Sequence, residues 1–99
     1  LLNDLISKDL VTITTSIDAG TSETFTKIRG GDKLDFVVRN LKKYSLINPK
    51  NVIIKYVFTN GNSSLSEIES FIQLIKKNNL NKCYFQISFD YYLERYYLD

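Results

Sequence analysis

Ser16, Asp18, Thr59, Asn60, Ser88 and Asp90 are the polar side chains best placed to do chemistry. Each falls near the end of a run of alternating β-branched or aromatic residues. Hydroxyl, amide and carboxylate groups gathered at the carboxyl ends of strands are how α/β barrels build their sites. Asp18 also opens the run Asp18-Ala19-Gly20-Thr21-Ser22. A carboxylate, a turn and hydroxyls in that order could pass for a phosphate loop. The inventory of groups narrows the chemistry. The 99 residues contain no histidine and a single cysteine, Cys83. That excludes His-dependent chemistry, a disulfide framework, a zinc finger and a self-contained cysteine-ligated cluster within this segment. Cys83 lies in an alternating run, where a packed core thiol is expected.

These groups need elements to hold them. Residues 1–8 place Leu2, Leu5 and Ile6 at i, i+3, i+4, a short helix. Val11 to Asp18 alternates and is β-branched, which predicts a first strand. Val11, Ile13 and Ile17 would share one face, and Thr12, Thr14, Ser16 and Asp18 the other. Ala19-Gly20 ends it. Thr21 as cap and an early Glu23 predict a short helix through Ile28, broken by Gly30-Gly31. Asp32 is the expected cap of a longer helix, Lys33 to about Tyr44, with an apolar stripe of Leu34, Val37, Val38 and Leu41. Asn48-Pro49 marks a loop. Asn51 to Thr59 is a second strand, with Val52, Ile54, Tyr56 and Phe58 on one face. After the turn Asn60-Gly61-Asn62, Ser64 and Glu67 form a capping box for a helix carrying Ile68, Phe71, Ile72 and Ile75. Cys83 to Phe89 is a third strand. Phe85, Ile87 and Phe89 are expected to face one way, and Tyr84, Gln86, Ser88 and Asp90 the other. The tyrosine spacing over residues 91–99 begins a further helix.

The order β-α-β-α-β with helical crossovers means parallel strands joined by right-handed connections. The first and third strands each keep a polar face, unlike the central strands of a doubly wound sheet. Two architectures fit. In a barrel-like α/β fold the helices lie on the outer face and polar side chains line the interior. In an α+β domain the polar face meets solvent. Composition is ordinary for a globular chain, 43% hydrophobic and 24% charged. The net charge of +2 is small, and the lysines are dispersed apart from Lys42-Lys43 and Lys76-Lys77. No nucleic-acid partner is expected from such a pattern. The apolar runs are far too short to span a membrane, and a cytoplasmic location is expected. The chain has no methionine and opens in mid-pattern, so an excerpt of a longer protein is expected. Folded alone, three parallel strands with free edges and an uncovered face are expected to self-associate.

Asp18-Ala19-Gly20-Thr21 resembles the Asp-x-Gly-Thr motif of the sugar kinase and actin-like ATPase superfamily. That motif needs a β-hairpin, and Ser22 to Ile28 reads as helix. The dehalogenase-like phosphatase motif needs a second Asp where Gly20 stands. A longer pattern is more specific. Ser16-Ile17-Asp18-Ala19 followed by Thr24-Phe25-Thr26-Lys27-Ile28-Arg29-Gly30-Gly31 resembles the middle of radical S-adenosylmethionine (SAM) enzymes. The likeness is to the branch with auxiliary-cluster C-terminal domains. There a strand ending Ser-Ile-Asp-Gly/Ala precedes a segment with an Arg-Gly pair. A helix similar to Phe36 to Leu41, a strand ending near an Asn, and a helix similar to Ser66 to Ile72 follow. The resemblance covers residues 11 to about 90.

The resemblance implies half of a partial (β/α)6 barrel, its strands four to six. It also implies SAM bound on a 4Fe–4S cluster, used to generate a 5′-deoxyadenosyl radical for hydrogen abstraction. The three cysteines of that cluster lie in a Cys-x-x-x-Cys-x-x-Cys loop after the family's first strand, outside these residues. Cys83 cannot replace them, because one thiolate does not hold such a cluster. Neither cofactor nor catalysis is therefore expected of the segment alone. By matching position, Ser16 resembles the residue whose hydroxyl contacts SAM. Arg29 resembles the one that binds the methionyl carboxylate, a task suited to a guanidinium fork. Asp18 could accept from a ribose hydroxyl or the amino group. The plain structural roles are a strand hydroxyl for Ser16, a turn cap for Asp18, and a surface pair with Glu23 or Asp32 for Arg29. The substrate is left open. The competing reading is a non-enzymatic α/β or α+β interaction module.

Overall fold

A computed structural model describes residues 1–89. Within them, the alternation along the middle strand decides the architecture. Val52, Ile54 and Tyr56 are buried, while Ile53, Lys55 and Val57 between them are half-buried. One face of the sheet is therefore covered and the other is open.

The elements are α1 (Leu2–Ser7), β1 (Ile13–Ser16), α2 (Ser22–Arg29), α3 (Leu34–Ile47), β2 (Val52–Phe58), α4 (Leu65–Lys77) and β3 (Tyr84–Phe89). A single 3-10 turn, Pro49–Asn51, leads into β2. The strands form one sheet in the order β1-β2-β3, and both pairings are parallel. With strands added in sequence and crossovers of one hand, the helices collect on one face. Phe25 of α2, Leu34, Val38 and Leu41 of α3, and Phe71 and Ile75 of α4 pack there against Val52, Ile54 and Tyr56. The class is thus α/β, a parallel β-α-β-α-β sheet with helices on one side. The described sheet has three strands and does not close on itself. No helix among the described residues is long and apolar enough to cross a membrane.

Register sets the opposite face. Ser16 pairs with Lys55, and Lys55 with Gln86. Ser16, Lys55 and Gln86 therefore form a polar row across all three strands on the open side. Thr14, Ile53 and Tyr84 form the row before it, and Val57 and Ser88 the row after.

Several boundaries differ from the sequence expectation for physical reasons. β1 begins at Ile13, not Val11, because Ile13 is already level with Val52, the first residue of its partner strand. It ends before Asp18, which has a left-handed backbone, φ 58°. The N-cap of α3 is Lys33, not Asp32, and no side chain accepts a hydrogen bond there. α3 runs on to Ile47, three residues past Tyr44. Asn48 stops it, extended at φ −161°, as a residue before proline tends to be. The expected helix over 91–99 and the strand-end position of Asp90 lie outside the described residues.

Candidate functional site at the carboxyl ends of the strands

The ladder between β1 and β2 closes with Ile17 donating its N–H to Lys55 O at 3.0 Å. One residue later the chain turns into the left-handed region at Asp18. That conformation is uncommon outside glycine, though Asp tolerates it better than most. The turn corrects the expectation that Asp18 joins Ser16 on the polar face. Asp18 is instead buried, 4% exposed. Its Oδ1 accepts from Val57 N at 2.7 Å, continuing the ladder in place of a main-chain carbonyl. Its Oδ2 accepts from Arg29 Nη1 at 3.3 Å.

Arg29 reaches this point from the last turn of α2. Thr21 caps the start of that helix, accepting from Thr24 N at 3.2 Å. Gly30 ends it in the left-handed region at φ 75°, where a side chain would be strained. Arg29 pairs with Asp18, not with Glu23 or Asp32; Glu23 lies instead 3.8 Å from Lys27 on the surface. The Arg29 side chain stays 46% exposed. Among the described residues its other guanidinium N–H groups have no partner.

Asn62 holds the same corner from the other side. It is fully buried. Its Nδ2 donates to Asp18 O at 2.8 Å and Val57 O at 2.9 Å. Its Oδ1 accepts from Thr59 N at 2.7 Å. Tyr56 Oη donates to Asn62 O at 2.8 Å. The Tyr56 phenol is pushed up to about 12, first by burial and then by the negative charges of Glu67 and Asp18. Sequence pattern placed Asn62 in a plain turn. An amide buried at a strand end leaves no periodic signal.

Ser16 sits apart from this knot. It is half-buried on the open face beside Lys55. No hydrogen bond joins it to Asp18 or Arg29, and its hydroxyl has no partner among the described residues. Lys55, likewise without a described ionic partner, was not singled out by the sequence. It reads as one polar residue in an apolar strand, and only register sets it beside Ser16. Thr59 closes the β2 turn through Asn62, Asn60 is exposed in that turn, and Ser88 is half-buried on the open face.

Ser22–Arg29 is helix, so the β-hairpin that the Asp-x-Gly-Thr motif needs does not follow Asp18. A Cβ on Gly20 would overlap the backbone of Phe71 and Ser70 in α4. Gly20 therefore lets a helix approach, and Thr21 serves as its cap. The capping box at α4 forms by half. Ser64 Oγ accepts from Glu67 N at 3.2 Å. The Glu67 carboxylate turns away and accepts from Thr24 Oγ1 at 2.7 Å, leaving its Oε2 buried without a partner. Cys83 is a buried core thiol, and burial raises its pKa. Among the described residues no group of three or more His, Cys, Asp or Glu side chains could hold a metal ion. Comparison with protein-family models, curated proteins and solved structures finds no match for this chain.

Proposed function

We propose that this chain is part of the core barrel of a radical SAM enzyme, with Arg29 and Ser16 as cofactor contacts. The observation that carries the reading is the state of Arg29. Its guanidinium is half-exposed at the carboxyl ends of parallel strands, fixed at one nitrogen by buried Asp18 and, among the described residues, open at the others. A preoriented fork with unused donors suits a carboxylate. The hydroxyl of Ser16, unpartnered among the described residues on the open sheet face, suits a neutral contact to the same ligand. The donor set fits the methionyl end of SAM. It does not fit the cluster, since one buried thiol cannot hold it. The cluster would be held by the missing half of a partial (β/α)6 barrel in a cytoplasmic parent.

In this reading Asp18 does not touch the cofactor. Both its carboxylate oxygens are engaged, and it acts as a positioning residue for Arg29. The polar row of Ser16, Lys55 and Gln86 would face the barrel interior, where substrate is held and water excluded. When bound at a reduced cluster, the cofactor would supply radical chemistry for hydrogen abstraction. The chain's own part is to bind and orient.

The reading is tested first in the coding sequence upstream of residue 1. A Cys-x-x-x-Cys-x-x-Cys loop is expected there, and a complete parent without it returns the chain to an interaction module. In a cluster-loaded parent, calorimetric titration of SAM then compares Arg29→Ala with Ser16→Ala. Loss of a charged contact, about 1.5–3 kcal/mol, should weaken binding about 10- to 150-fold. Loss of a neutral hydroxyl contact, about 0.5–1.5 kcal/mol, should weaken it about 2- to 10-fold. Unchanged affinity in a folded Arg29→Ala protein removes Arg29 from the site.

A further inference from the structure

We infer that Lys55 anchors a substrate subsite on the open sheet face, one that takes a carboxylate carried on an apolar body. The strand Val52-Ile53-Ile54-Lys55-Tyr56-Val57-Phe58 is otherwise apolar or aromatic. A lysine in that setting is unfavourable for the strand and loses part of its hydration. Lysines on edge strands guard against stray pairing, but β2 is the middle strand and is hydrogen-bonded on both sides. Lys55 is half-buried, and among the described residues its ammonium has neither a hydrogen bond nor an ionic partner. A cation so placed is matched by an anion that comes from elsewhere.

Register defines the ligand. Gln86 lies level with Lys55 on β3, one strand spacing of about 5 Å away, and its side-chain amide offers a neutral donor beside the ammonium. One cation and one amide suit a monoanion such as a carboxylate. A phosphate dianion would keep one charge uncompensated over the neighbouring rows. Those rows are apolar on β2: Ile53 stands two residues before Lys55 and Val57 two residues after, each about 7 Å along the strand. Tyr84, level with Ile53, is 58% exposed. In either direction along the strand, the body of a ligand whose carboxylate meets Lys55 lies on apolar surface. Ser16 flanks Lys55 on β1. That this is a substrate subsite rests on the radical SAM reading, in which Ser16 touches the cofactor and Lys55 holds substrate one strand away. The carboxylate site itself rests on Lys55, Gln86 and their neighbours alone.

The test titrates sodium benzoate into the parent protein carrying isotope-labelled isoleucine and valine methyl groups. Benzyl alcohol is the neutral match, and inorganic phosphate the competing anion. Benzoate should move the Ile53 and Val57 methyl resonances saturably. Benzyl alcohol should bind about tenfold or more weakly, as loss of a charged contact requires. Lys55→Met should weaken benzoate by the same factor, and Lys55→Arg should restore most of the affinity. Ile75, on the helix-bearing face, should stay unmoved, and its dispersed resonance reports that each variant is folded. Equal binding of benzoate and benzyl alcohol, unchanged benzoate affinity in Lys55→Met, or phosphate binding tighter than benzoate overturns the inference. So does the absence of any shift at Ile53 and Val57, which would mean that an acidic side chain of the parent already occupies Lys55. A parent lacking the Cys-x-x-x-Cys-x-x-Cys loop overturns the radical SAM reading and leaves the benzoate result to decide the carboxylate site, so the two fail separately.

Discussion

Asn62 donates its side-chain amide to the main-chain carbonyl of Asp18 at 2.8 Å, across 44 residues of sequence. This bond ties the turn after β2 to the left-handed residue after β1. It explains how Asp18 is held in a conformation unusual for an L-residue. The same amide caps Val57 O, and its oxygen receives Thr59 N. One buried side chain thus satisfies main-chain groups on both sides of the candidate site.

Asn62→Ala should therefore be among the most damaging single changes outside the apolar core. It leaves the carbonyls of Asp18 and Val57 and the amide of Thr59 without partners. Each unsatisfied buried group costs about 1–3 kcal/mol, and water entering the cavity recovers part of that. A net loss of about 2–5 kcal/mol is expected in urea unfolding, with an unchanged slope. Asn62→Asp should be no better, because a carboxylate accepts from Thr59 but cannot donate to either carbonyl. A loss below about 1 kcal/mol would mean the carbonyls find other donors.

Gly20→Ala should cost about 1–3 kcal/mol, since the added methyl meets α4 main chain, which cannot rotate away. Gly31→Ala is the control. A Cβ there meets nothing within 4 Å, and a change within about 0.5 kcal/mol is expected. Equal melting temperatures for the two variants would show that α4 shifts to make room.

The parallel α/β order was legible because periodicity carries it. Val52, Ile54 and Tyr56 alternate, and Leu34, Val38 and Leu41 recur at helical spacing. Local caps were legible too, at Thr21 and Ser64, because their partners lie three residues away. What escaped depends on contacts distant in sequence. Asp18 looked like an outward strand residue until Val57, 39 residues on, supplied its partner. Glu67 looked like the second half of a capping box, yet Thr24 holds it from 43 residues away. The cap expected at Asp32 failed because helix starts are set by backbone angles as well as by side-chain type. Of the candidate residues, the pairing of Asp18 with Arg29 could not be read from spacing, since α2 had first to be laid beside β1.

The Asp18–Arg29 pair should couple measurably but modestly. Asp18 is buried, which favours a real contribution, while the guanidinium is 46% exposed and screened by solvent. A double-mutant cycle with Asp18→Asn and Arg29→Ala is expected to return a coupling of about 0.5–1.5 kcal/mol. It should shrink with added salt. Asp18→Asn retains a carbonyl oxygen for Val57 N, so the cycle isolates the ion pair from the ladder bond. A coupling near zero would make Arg29 an independent side chain and remove its fixed orientation from the proposed cofactor contact.

Tyr56 sets a pH limit on the fold. Its phenol is raised from 10.0 to about 12 in the folded chain, so the unfolded chain loses this proton first. For a group whose folded pKa is raised, the stability is fully present below the unfolded value and is lost as pH climbs through the folded one. Unfolding free energy should accordingly fall between about pH 10 and about pH 12. The physical cause is that a phenolate here would be buried, close to Glu67 and Asp18, and would no longer donate to Asn62 O. Tyr56→Phe supplies the reference, since it removes this phenol alone. That variant should start lower by about 1–3 kcal/mol, because the Asn62 carbonyl loses its donor inside the core. Across the alkaline window it should then lose less stability than the wild type, and the two curves should converge. Tyrosinate absorbance should show a late-ionising phenol in the wild type that is missing from the variant. Parallel curves, or a wild type in which every tyrosine ionises near its ordinary value, would mean that the Tyr56 hydroxyl is open to water and that the corner around Asn62 is looser than its hydrogen bonds require.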